Sequence, residues 1–163
     1  MSNSFITNKD KFLSDIINGI LPKTDAVDFL VGYFYYSGYV QLSENLKSKH
    51  IRILVGLDIE IQISKHVCEV ENFRQKLLSR GVLKEQYYSE FVKAFNDTDF
   101  LDTAEKIEQF KMFYAKILDG TLEIRKTLDP CHSKMYLFVY NESMNEGGEL
   151  PGVMITGSSN LSY

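Results

Sequence analysis

Apolar and polar positions alternate along the chain in two rhythms, one of period three to four and one of period two. Phe12, Ile16, Ile17 and Ile20 sit at helical spacing and predict a helix from about Asn8 to Leu21, which Pro22 ends. The following run, AVDFLVGYFYYSGY, is rich in β-branched and aromatic residues and predicts a strand from Ala26 to about Tyr35. SGYVQLSENLKSK reads as a helix with Ser37 at its start. IRILVGLD, from Ile51 to Asp58, is an unbroken apolar run, the pattern of a parallel strand covered on both faces. Strand, helix and strand at this spacing form a βαβ unit with an expected right-handed crossover.

The middle of the chain returns to helical spacing. Val67, Val70, Phe73 and Leu77 mark one helix, with Gly81 placed to stop it, and Tyr87, Tyr88, Phe91 and Phe95 mark a shorter one. Asp102 and Glu105 are spaced as a capping box ahead of Ile107, Phe110, Tyr114 and Ile117, and Gly120 closes that helix. Aromatic residues at such spacing belong to a core. Three strand-like pieces follow, TLEIRKTL, HSKMYLFVY and PGVMITGSS. The polar, glycine-bearing NESMNEGGELP between the last two suits a surface hairpin loop. The expected fold is α/β, a mixed sheet flanked by helices with a helical insertion in mid-chain, in a single domain over 1–163.

Composition narrows the function classes. With 163 residues, 44% hydrophobic and 25% charged, the chain can bury one core. No apolar run approaches the roughly 20 residues that span a bilayer, and MSNSFITNKDKF lacks the basic and apolar regions of a signal peptide. Cys68 and Cys131 fit no C-x-x-C spacing, so reduced thiols and a cytoplasmic location are expected. The net charge of -4 offers no global attraction for a polyanion, which a local patch would have to bind.

Several chemistries fail on their residues. GVMITGSS has P-loop glycine spacing, but Ser158 stands where the lysine belongs. His50, His66 and His132 show no zinc-ligand spacing, and neither a metal nor another cofactor is expected. What remains is His132 and Lys134, two residues apart at the head of a strand and therefore on one side of it. If the loop makes a hairpin, TGSSN (Thr156 to Asn160) returns to the same end. Gly157 would allow close backbone approach, and Ser158 and Asn160 would add a hydroxyl and an amide. An imidazole, an ammonium and neutral donors around one point suit a phosphodiester, with the imidazole attacking phosphorus. Tyr33, Tyr35 and Tyr36 suit either a pocket wall or base stacking. Lys47, Lys49, His50 and Arg52 read as a solvated helix end. Arg125 and Lys126 divide between groove and surface, and Asp58 at a strand end is a weak candidate.

These residues resemble the phospholipase D-like superfamily, whose signature is H-x-K-x-x-x-x-D followed downstream by G-S-x-N. HSK matches as His132 and Lys134, and GSSN as Gly157, Ser158 and Asn160. The strand, helix and strand from Ala26 are similar to the family's opening elements. The resemblance implies a metal-independent phosphodiesterase in which His132 forms a phosphohistidine while Lys134, Ser158 and Asn160 hold the phosphate. Gly157, Ser159, Tyr35 and Lys126 are the expected substrate contacts, and nucleic acid, with DNA foremost, is the expected partner rather than a membrane. The family's aspartate position holds Val139, and the family builds its site from two motifs where this chain has one. A second histidine is therefore expected from a homodimer partner or from further sequence of a longer protein. Similar N-terminal modules precede the helicase engines of bacterial DEAD/DEAH-like proteins, and by that analogy the chain is an N-terminal fragment. An inactive module that grips DNA or dimerises is the competing reading, and a plain interaction domain a third.

Overall fold

The structure, a computed structural model, describes residues 12–59, 103–142 and 151–160. In chain order the elements are α1 (Leu13–Ile20), β1 (Thr24–Phe34), α2 (Tyr36–Leu46), β2 (His50–Ile59), α3 (Ala104–Asp119), β3 (Leu122–Lys126), β4 (Met135–Tyr140) and β5 (Gly152–Thr156). They fall in two compact units, one holding α1, β1, α2, β2 and the strands from Glu123 onward, the other holding α3. The helices expected around Val67 to Leu77 and Tyr87 to Phe95 lie outside the described residues, as does most of the polar loop before Pro151. None of the described helices is long and apolar enough to cross a membrane.

The sheet is open, mixed and five-stranded, in the order β3-β2-β1-β4-β5. β1 and β2 run parallel, while β4 is antiparallel to both β1 and β5. Register places the buried residues in continuous rows. Val27 lies between Ile51 and Phe138, and Phe29 between Ile53 and Tyr136. All six are buried, and Phe29 meets Tyr136 and Phe138 edge-on, with ring centroids 5.4 and 5.9 Å apart. Ile17 and Leu21 from the α1 region, and Tyr36, Tyr39, Leu42 and Leu46 from α2, are buried on the same unit. Asn45 of α2 donates to Asn18 of α1 at 3.0 Å.

The other face of the sheet departs from the sequence expectation. Arg52 and Leu54 alternate with the buried residues of β2 and remain exposed, so that strand is not covered on both faces. Met154 on β5 is also exposed, and Arg52 pairs with Asp28 of β1 by way of two hydrogen bonds, one of 2.6 Å. Helix starts differ too. α2 begins one residue earlier than expected, with Tyr35 as N-cap and Ser37 already inside the first turn. α3 is capped by Thr103, whose hydroxyl accepts from the Lys106 amide at 3.2 Å, where Asp102 had been the expected cap. Gly120 ends α3 with a φ of 81°, the left-handed conformation that favours glycine.

Candidate active site

Near the carboxyl ends of β1 and β2 the ladder is irregular: Val31 faces Val55, but Tyr33 faces Asp58. Such a bulge bends the strand and re-aims its neighbours. Two glycines stand at this point, one on each strand, and both admit the segment that leads into β4. A Cβ on Gly56 would lie 1.8 Å from the carbonyl oxygen of Cys131, a distance no side chain survives. The gap is used: the Cys131 amide donates to the Gly56 carbonyl at 2.9 Å, and the Thr127 amide to Val55 at 2.9 Å. The Thr127 hydroxyl lies within hydrogen-bond distance of the Gly56 and Asp129 carbonyls, at 3.2 and 2.6 Å. Residues 127–131 are thereby tied to β2.

Gly32 admits side chains instead of backbone. A Cβ there would sit 3.2 Å from His132 Cδ2, 3.3 Å from Asn160 Oδ1 and 3.4 Å from Lys134 Nζ. Three groups from two distant pieces of sequence therefore converge over one glycine. The β4–β5 pairing accounts for this, because Met135 faces Thr156 and the residues just outside that pair are neighbours.

Each group is held differently. Asn160 Oδ1 accepts the backbone amides of Gly32 and Tyr33 at 3.1 and 3.2 Å. That fixes the amide's orientation and leaves its NH2 as a free-standing donor. Lys134 is 4% exposed, and its ammonium donates to the His132 carbonyl at 2.6 Å. Among the described residues no carboxylate pairs with it. A buried ammonium with no carboxylate beside it is a place where an entering anion would find an unpaired positive charge. His132 is exposed, with its imidazole edge-on to Tyr33 at 6.5 Å. Neither His132 nor Lys134 lies in the ladder, since β4 begins at Met135, so their meeting rests on the approach segment and not on strand alternation.

The remaining candidates divide. Ser159 contributes its carbonyl, which accepts from the buried Tyr136 hydroxyl at 2.6 Å and anchors the corner before Asn160. Burial raises the Tyr136 phenol well above its ordinary range and keeps that donor protonated. Gly157 donates its amide to the Lys134 carbonyl at 3.4 Å, but a Cβ on it would meet nothing within 4 Å. Within the chain, close approach thus occurs at Gly56, to backbone, and at Gly32, to side chains. Ser158 is exposed in the turn after β5, with no hydrogen bond to the three converging groups among the described residues. Tyr35 is exposed and stacks with Tyr33. Lys126 lies on β3, separated from β4 by two strands, and pairs with Asp58 at 3.6 Å. Val139, at the motif's aspartate position, is exposed opposite Ala26, far along β4 from the convergence.

Gly32 and Gly56 were not singled out from sequence, although glycine inside an apolar strand run signals close approach of another group. Beside the site, the Cys131 thiol is pulled below its ordinary range, chiefly by hydrogen bonding from the Ser133 backbone. No family model matches the chain, and no curated protein or solved structure matches it.

Proposed function

We propose that the chain is a phosphodiesterase domain of the phospholipase D-like type that acts on nucleic acid through His132. The observation that supports this most is the convergence of His132, Lys134 and Asn160 over Gly32, around a buried ammonium that no carboxylate among the described residues neutralises. Lys134 and the Asn160 NH2 would hold the non-bridging phosphate oxygens and stabilise them as charge builds. The exposed imidazole nitrogen donates its electron pair to phosphorus, and the bond from phosphorus to one ester oxygen breaks. That oxygen leaves with a proton from a general acid. Water then attacks the phosphohistidine, giving a proton back to the conjugate base of that acid, the P–N bond breaks, and a phosphomonoester and free imidazole result.

The general acid in this scheme is a second imidazole. His50 is no candidate within the same site, because it faces Ala26 at the opposite end of β1 from Gly32. A two-fold partner or a further stretch of chain would supply it. The test is hydrolysis of bis(p-nitrophenyl) phosphate in the presence of a chelator. Turnover that survives chelation and disappears in His132→Ala is the expected result, whereas turnover unchanged in that variant ends the catalytic reading.

A second reading, binding without turnover, is favoured by the single imidazole at this end of the described sheet. It predicts salt-dependent binding of nucleic acid that Lys134→Met weakens, with no product formed.

A further inference from the structure

Two exposed tyrosines stand at the rim of the site and take no part in the phosphate chemistry. Tyr33 ends the irregular part of β1 and Tyr35 caps α2, two residues on and so on the same side of an extended chain. Their rings are stacked, with centroids 6.4 Å apart and planes 27° from parallel. Tyr33 keeps 36% of its surface and Tyr35 40%, whereas the adjacent Tyr36 keeps 3%. The chain therefore buries one tyrosine of this cluster and leaves a two-ring surface open beside it. That surface is positioned and not merely exposed. The Tyr33 amide is held by Asn160, and its ring stands against the His132 imidazole at 6.5 Å.

We propose that the Tyr33–Tyr35 pair is a stacking platform for an unpaired base next to the phosphate at His132, so that the site takes single-stranded rather than duplex nucleic acid. The proposal rests on the phosphodiesterase reading for the phosphate and adds what holds the neighbouring nucleotide. Aromatic faces accept any base, because every base has a π-face, and they need that face free. In a duplex both faces are occupied by neighbouring pairs. A chain of net charge -4 also gains little from the dense phosphate charge of a duplex, which leaves stacking as the stronger source of affinity.

Fluorescence anisotropy on the full chain, with a labelled single-stranded oligonucleotide, its abasic counterpart and the corresponding duplex, tests this. The wild type binds the single strand about tenfold more tightly than either of the others. Tyr35→Leu removes most of that preference, bringing the base-bearing strand down toward the abasic one. Tyr33→Phe with Tyr35→Phe retains it, since stacking needs the ring and not the hydroxyl. Equal binding of base-bearing and abasic strands, or a preference untouched by Tyr35→Leu, overturns the platform while leaving the phosphate site standing. Failure of every strand to bind, together with Lys134→Met behaving as wild type, overturns the phosphodiesterase reading itself and the platform with it.

Discussion

The side-chain oxygen of Asn160 accepts the backbone amide of Gly32 at 3.1 Å, across 128 residues of sequence. The same oxygen takes the Tyr33 amide, so one side chain satisfies two donors that the bulge in β1 would otherwise leave unpaired. The corner after β5 is thereby locked to the end of β1, beside the Lys134 and His132 side chains.

Substitutions at Asn160 separate its two duties. Asn160→Ala leaves both amides without this acceptor and costs about 1–3 kcal/mol of stability. Asn160→Asp keeps an oxygen for those amides but places a negative charge beside the ammonium. It should unfold within about 1 kcal/mol of wild type in urea, yet bind phosphate at least tenfold more weakly.

The two glycines should respond differently to the same methyl group. At Gly56 the added Cβ meets the Cys131 backbone at 1.8 Å, which must move. Gly56→Ala should lose about 1–3 kcal/mol and anion binding together. At Gly32 the nearest atoms are the ends of three side chains, at 3.2 to 3.4 Å. Gly32→Ala should cost under about 1 kcal/mol while filling the space an anion would use. Denaturant melts paired with phosphate titrations distinguish the two outcomes.

Lys134 is buried with its ammonium on the His132 carbonyl and, among the described residues, no carboxylate paired with it. Lys134→Met removes the charge and keeps an unbranched side chain of similar length. It should leave stability within about 1 kcal/mol of wild type while abolishing phosphate affinity, which separates a binding charge from a structural one. A thermal melt with and without phosphate reads both.

Tyr36, Tyr39 and Tyr136 all have phenols pushed up by burial from an ordinary value of 10.0. Above about pH 10 the unfolded chain releases these protons and the folded chain retains them. Their contribution is therefore complete below the unfolded value and falls as pH rises past it. Tyr136→Phe should flatten the alkaline decline in stability, and it should cost about 1 kcal/mol at neutral pH through the lost bond to Ser159.

Much of this arrangement could be read from residue patterns, and the limits were physical. Parallel pairing of β1 and β2 followed from two apolar runs around an amphipathic helix. The return of Asn160 to Lys134 followed from a hairpin-sized polar loop. Solvent exposure of Arg52 and Leu54 was not readable, because an apolar run does not say how many faces are covered. The meeting of Cys131 with Gly56 was hidden for a different reason: it joins backbone to backbone, and no side-chain pattern marks it. Strand alternation put His132 and Lys134 on one side, but both precede β4, and their convergence depends on Gly32 giving them room. The α3 cap was placed one residue too early, because Thr103 carries the hydroxyl that accepts the Lys106 amide.

If His132, Lys134 and Asn160 together hold a tetrahedral anion, an NMR titration with inorganic phosphate reads that binding at each group. Saturable shifts of the His132 imidazole and the Asn160 side-chain amide, absent in Lys134→Met, are the predicted result. Imidazole and amide signals that stay in place as phosphate rises, in a wild-type chain shown to be folded, would contradict it.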